Sequence, residues 1–172
     1  MKNNCILIGY MGCGKSTVGK KLSEALSHSF VDTDVLIEEE QRRTISEIFQ
    51  ADGEPFFRDL ETETLRKLLE TEGEYVISVG GGLPLREENR KLLQKLGQVI
   101  YLKAASDTIY NRLKGDVTRP LLQTENPKAR IIEMLNEREE KYMAAAHNIV
   151  IVDEKEISEI VDEIIEIRKV SD

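Results

Sequence analysis

The sequence predicts an α/β protein built on a five-stranded parallel sheet with helices on both faces. Three observations carry that expectation. Short apolar runs alternate with stretches of helical periodicity along the 172 residues. The run Tyr75, Val76, Ile77, Ser78, Val79 is nearly continuous in apolar character, as a strand buried on both faces should be. Finally, Gly9, Gly14, Lys15 and Ser16 fit G-x-x-x-x-G-K-[ST], placed directly between the first apolar run and the first helical one.

In chain order, Cys5 to Ile8 form the first strand and lead into the glycine-rich turn. Gly9, Gly12 and Gly14 let the backbone take dihedrals that a Cβ forbids, so that its N–H groups turn inward around an anion. Val18, Leu22, Ala25 and Leu26 give the following helix one buried face. Phe30, Val31 and Asp32 end a second strand; Val35, Leu36 and Ile37 open another helix. Thr44 with Glu47 fits a capping box for a short helix bearing Ile45, Ile48 and Phe49. A turn at Asp52, Gly53, Glu54 and Pro55 precedes a long charged helix over residues 56–70, with Leu60, Leu65, Leu68 and Leu69 inward. The buried strand at 75–79 ends in Gly80, Gly81 and Gly82. Then come a helix over 85–96, a strand over 99–102, and a helix over 106–113 with Ser106 as N-cap. Residues 115–124 lack periodicity, contain Arg119 and read as a mobile loop. Asn126 and Pro127 fit a cap followed by proline at the first helical position, opening a helix to about Ala145. A last strand at 148–152 and an amphipathic helix with Ile157, Ile160, Val161, Ile164 and Ile165 close the chain.

Composition narrows the function. A net charge of −8, from 24 Lys+Arg against 32 Asp+Glu, argues against a broad nucleic-acid or membrane-binding face. No apolar run approaches the roughly 20 residues that a membrane span needs. The first strand begins within a few residues of Met1, which leaves no room for a signal peptide, and a cytoplasmic location is expected. Cys5 and Cys13 suggest neither a disulfide framework nor a zinc site. One domain over residues 1–172 is expected.

Ligands of such sheets bind beyond the carboxyl ends of the strands, where three segments gather. In the first, Lys15 suits phosphate oxygens and the Ser16 hydroxyl suits Mg²⁺. In the second, Asp32 and Asp34 would point to the same side if the backbone is extended. One could then hold Mg²⁺ and the other accept a hydrogen bond or proton from a hydroxyl; alternatively, Asp34 caps a helix. In the third, Gly80, Gly81 and Gly82 cost roughly 0.5–1 kcal/mol each relative to alanine, which points to close approach of a ligand or to a tight turn. Arg58, Arg119 and Arg138 suit bidentate anion binding, or else pair with neighbouring glutamates on the surface. Tyr101 and Tyr142 read as packing residues, and His28 and His147 carry no partner spacing.

Taken together, these segments resemble the shikimate kinases over nearly the whole chain. The matching pieces are residues 9–19 (GYMGCGKSTVG), 30–34 (FVDTD), 45–49 (ISEIF), 53–58 (GEPFFR), 80–82 (GGG), 119–122 (RPLL) and 138–142 (REEKY). The resemblance implies a P-loop kinase fold with strand order 2-3-1-4-5 and ATP-dependent phosphorylation of the 3-hydroxyl of shikimate, on the way to chorismate. It implies Mg²⁺ as cofactor and ATP and shikimate as substrates; a monomer is expected. Gly12, Cys13, Gly14, Lys15, Ser16, Thr17, Arg112, Arg119 and Asp153 would serve the nucleotide, and Ser16 and Asp32 the metal. Asp34, Arg58, Gly80, Gly81, Gly82 and Arg138 would hold shikimate, with Lys15, Asp34 and Arg119 catalytic. A proline common near Asp153 in the family is absent. Another small-metabolite kinase, such as a gluconate kinase, is the alternative. A small GTPase is disfavoured because neither N-K-x-D nor a D-x-x-G segment is found.

Overall fold

A computed structural model describes residues 2–116 and 123–171. Five strands form one sheet: β1 (Asn4–Ile8), β2 (Ser29–Asp32), β3 (Tyr75–Ser78), β4 (Gly97–Lys103) and β5 (Asn148–Ile151). Their order is β2-β3-β1-β4-β5, and every pairing is parallel. The helices are α1 (Lys15–Leu26), α2 (Thr33–Gln41), α3 (Ile45–Asp52), α4 (Glu54–Glu70), α5 (Glu87–Leu96), α6 (Ser106–Leu113), α7 (Pro127–Ala145) and α8 (Ile157–Ser171). The α/β class, the strand number and the strand order expected above are all observed.

Position in the sheet explains strand composition. β1 is central, and Cys5, Ile6, Leu7 and Ile8 are wholly buried. The edge strand β5 exposes Ile149 and Ile151 while burying Val150. The α1 helix packs against α8, and α5 against α7. The main core joins β1, β3 and β4 to these helices. A smaller core of Ile37, Ile48 and Phe57 ties α2, α3 and α4 together, with the Phe49 and Phe57 rings 5.0 Å apart. That second core fixes the helix carrying Arg58.

Several local expectations need correction. Helix α4 starts at Glu54, so the expected four-residue turn shrinks to Gly53, whose φ of 84° favours glycine. The expected helix over 85–96 is split. Leu83–Leu85 make a 3₁₀ turn, Arg86 is extended, and α5 begins at Glu87. Ser106 does not cap α6: Ala105 is the N-cap, and its N–H donates to the carboxylate of Asp153. The Thr44–Glu47 capping box and the Asn126 cap are present as expected. The expected lid at about 115–124, Arg119 included, lies mostly outside the described residues.

Candidate active site

Strand register gathers the site. Asp32 pairs with Ser78 across β2 and β3, and Leu7 pairs with Ser78 across β1 and β3. The residues just beyond these strand ends therefore share one rim: the glycine-rich loop, Asp32 to Asp34, and Gly80 to Gly82. The loop, Asp32, Asp34, Gly80 and Gly81 line a crevice of about 220 Å³.

On one side lies the loop. Gly12 and Gly14 have φ of 79° and 99°, and no side chain caps α1. The first N–H groups of α1 are thus left to face an anion, with the positive end of the helix dipole behind them. Lys15 Nζ donates to the loop's own carbonyls, Gly9 O at 2.7 Å and Tyr10 O at 3.1 Å. From α6, Arg112 Nη1 donates to Gly12 O at 3.1 Å. Cys13 is buried, its N–H donating to Tyr10 O. Ser16 and Thr17 are exposed on the first turn of α1. Asp153, past β5, accepts from Ala105 N and from the Thr108 hydroxyl at 2.6 Å.

The acidic pair is arranged differently from the sequence expectation. The cap of α2 is Asp32 and not Asp34: Asp32 Oδ1 accepts from Asp34 N at 2.9 Å and Val35 N at 3.3 Å. The chain leaves the extended conformation at Thr33, so Asp34 already stands in the first helical turn. Asp32 still reaches the loop, because its other oxygen, Oδ2, accepts from the Ser16 hydroxyl at 3.2 Å. A hydroxyl and a carboxylate side by side suit a hard cation that keeps waters and phosphate oxygens as its remaining ligands. The residues present fit Mg²⁺.

On the other side, four segments surround the triple glycine. An ideal Cβ on Gly80 would lie 2.8 Å from Asp34 Oδ1 and 3.1 Å from Glu61 Oε1. One on Gly82 would collide with the Arg58 guanidinium, and one on Gly81 would stand 3.6 Å from Arg138 Nη1. A side chain at Gly80 or Gly82 would displace the Asp34 carboxylate or the Arg58 guanidinium, whereas Gly81 makes only ordinary contacts. Gly80 N donates to the Thr33 hydroxyl at 3.3 Å. Arg58 pairs with Glu54 at 3.0 Å and with Glu61 at 2.8 Å. The Arg138 Cζ lies 5.7 Å from the centre of the Tyr10 ring, a cation–π arrangement.

Two carboxylates here are charged against their environment. Asp34 Oδ1 and Glu61 Oε1 are shielded from solvent and accept no hydrogen bond among the described residues. Burial pushes the Asp34 pKa up to about 6; the charge of Asp32 adds to this, and Lys15 pulls against it. Burial pushes Glu61 up to about 7, against the pull of Arg58. Glu61 was missed by sequence reasoning, as were Thr33 and the hydroxyl of Tyr142, which donates to Gly81 O at 2.6 Å. The i, i+3 spacing of Arg58 and Glu61 on one helix was the available signal.

Comparison with known proteins agrees with this assembly. A family model described as shikimate kinase matches residues 11–169. The chain is similar to a shikimate kinase of Thermodesulfovibrio yellowstonii, 46% identical over 142 residues, covering 83% of this chain and 82% of that one. It is similar in structure to a shikimate kinase of Acinetobacter baumannii in complex with shikimate, with TM-score 0.92, 33% identity, and coverage of 98% of this chain and 94% of that one. A gluconokinase of Sinorhizobium meliloti, at TM-score 0.60 and 20% identity over 94% of this chain and 88% of that one, shares the fold alone. The acceptor-side residues set around the triple glycine and the match over residues 11–169 agree: the chain belongs to the shikimate kinase family.

Proposed function

We propose that this chain transfers the γ-phosphoryl group of ATP to the 3-hydroxyl of shikimate, working as a monomeric, cytoplasmic single-domain enzyme that binds neither nucleic acid nor membrane. The observation that carries the reading is a space beside the P-loop lined by Asp34, Gly80 and Gly81, with Arg138 packed on Gly81 and Arg58 on Gly82. That space presents two cations for a carboxylate, a carboxylate for hydroxyls, and backbone N–H groups that bulky side chains would block. Among the described residues no helix is long and apolar enough to cross a membrane.

The loop and the start of α1 would receive the phosphates of ATP on backbone N–H groups. Lys15 would leave the carbonyls of Gly9 and Tyr10 for the β- and γ-phosphates. Gly12, Cys13, Gly14 and Thr17 line the same cradle, and Arg112 and the segment at Asp153 would border the base. Mg²⁺, held by Ser16 with Asp32 behind it, would neutralise charge on the phosphates. Arg58 and Arg138 would clamp the shikimate carboxylate, and a free N–H of the triple glycine would donate to a ring hydroxyl. With its pKa near 6, Asp34 would be ionised at neutral pH yet basic enough to take the 3-hydroxyl proton as the phosphoryl group leaves ADP. Arg119, outside the described residues, would stabilise the transferring group; an arginine so placed supplies on the order of 10³–10⁵ in rate in related chemistry.

A coupled assay of ADP release tests this, with ATP and Mg²⁺ against shikimate, gluconate, a nucleoside monophosphate or no acceptor. Turnover is expected with shikimate only. Turnover with gluconate in its place would leave the fold and remove the arginine clamp.

A further inference from the structure

The Tyr142 side chain is wholly buried, yet its ring and its hydroxyl do different things. The ring packs 5.1 Å from that of Tyr101. The hydroxyl donates to the carbonyl of Gly81. Burial pushes its pKa up to about 12, so it stays protonated as a donor. Three other polar groups of the glycine turn have partners of their own. Gly80 N donates to Thr33, Leu83 N donates to Gly80 O at 3.0 Å, and Leu85 N donates to Gly82 O at 3.2 Å. The Gly81–Gly82 peptide, with no side chain on either flank, has no intrinsic preference to orient it. In a trans peptide the C=O and the following N–H point in opposite directions. Whatever holds the Gly81 carbonyl therefore aims the Gly82 N–H. Tyr142 also lies one helical turn after Arg138 on α7, so its hydrogen bond joins the helix of the clamp to the glycine turn.

We propose that the Tyr142 hydroxyl positions the acceptor side: by gripping the Gly81 carbonyl it fixes the direction of the Gly82 N–H and the distance from that N–H to Arg138. The inference rests on the shikimate reading above. It makes Tyr142 a positioning residue that does not itself touch substrate.

The test is Tyr142→Phe in the full chain, which keeps the ring and removes the donor. The KM for shikimate should rise roughly 3- to 15-fold, the range one lost hydrogen bond supplies, with the KM for ATP within about twofold. Tyr101→Phe is the control: it removes a hydroxyl from the same aromatic pair, one that donates to Glu139 at 2.6 Å and not to the turn. It should leave the KM for shikimate unchanged. An unchanged shikimate KM in Tyr142→Phe, an equal rise in both KM values, or the same rise in Tyr101→Phe overturns the proposal. A second arm needs no substrate. In ¹⁵N spectra of the ligand-free protein, the Gly82 amide should shift in Tyr142→Phe and stay in Tyr101→Phe; an unmoved resonance overturns the orienting role. Wild-type protein without shikimate-dependent turnover would remove the functional reading, while this arm would still report on the peptide.

Discussion

The two halves of the crevice meet their polar groups in opposite ways. In the phosphate half the charged side chains all have partners, and only the first backbone N–H groups of α1 stay open: Lys15 donates to Gly9 and Tyr10, Arg112 to Gly12, and Asp32 accepts from Ser16, Asp34 N and Val35 N. The acceptor half is not so satisfied, because among the described residues nothing donates to the buried Asp34 Oδ1 and Glu61 Oε1. An unmet buried acceptor costs about 1–3 kcal/mol, and more when it is charged. Among its charged side chains the fold thus stores strain where the acceptor hydroxyls would bind and keeps the phosphate side relaxed. A substrate hydroxyl can supply the missing donor, which ties acceptor binding to relief of that strain.

The largest effect should separate the halves by sign. Asp34→Asn removes the proposed base, and kcat should fall roughly 10²–10⁴-fold. The same change removes a buried charge whose neighbour, Glu61 Oε1, is free to accept from the new amide. The variant should therefore melt higher than wild type at pH 8. Lys15→Ala should cost roughly 10²–10³ in kcat and lower the melting temperature, since it strips the donor from two loop carbonyls. If both variants lose stability, the contrast between a relaxed and a strained half fails.

The contrast also explains what could be read in advance. The phosphate half is one contiguous stretch whose chemistry is backbone N–H, so residues 9–17 declare it by themselves. The acceptor half is assembled from α2, α4, the turn after β3 and α7. The i, i+3 spacing to Arg58 marks Glu61 only as one of several acids so placed on a charged helix, as Glu63 is with Arg66; its packing against Gly80 and Arg58 sets it apart. Tyr142 reads as packing because its ring does pack, and the hydrogen bond appears only when α7 crosses the glycine turn. The shift of the α2 cap from Asp34 to Asp32 follows from where extended backbone ends. Asp153 takes the capping of α6 from Ser106 through a contact between distant segments, which sequence cannot show.

A smaller effect sharpens the picture of the clamp. Arg58 is bound to Glu54 and Glu61, whereas Arg138 makes no ion pair among the described residues; it rests on the Tyr10 ring and hydrogen-bonds the Tyr142 hydroxyl. Arg138→Ala should raise the KM for shikimate by about 30-fold, equivalent to about 2 kcal/mol, with little change in melting temperature. Arg58→Ala should raise the same KM and also destabilise the protein, because it strands Glu61 without its partner. Steady-state kinetics beside thermal melts would distinguish the two. Equal stability losses would mean that Arg138 is as embedded in the fold as Arg58.

The smallest effect is the pH dependence that Glu61 imposes, and its sign is decisive. Glu61 has an ordinary pKa of 4.5 in the unfolded chain and about 7 when folded. Between those values the folded state holds more protons than the unfolded one, so stability falls as pH rises through that window. Below about 4.5 the contribution is fully present, and above about 7 it is gone. Were the Arg58 ion pair dominant, the folded pKa would lie below 4.5, and stability would instead grow as pH rises through that lower range. Glu61→Gln removes the titration. Its melting temperature relative to wild type should climb between pH 5 and pH 8 by a few degrees, given an effect on the order of 1–3 kcal/mol. A relative melting temperature that falls over the same range would show Glu61 as an ordinary salt-bridge partner of Arg58. The acceptor half would then hold one strained carboxylate, Asp34, and the coupling between acceptor binding and strain relief would rest on that residue alone.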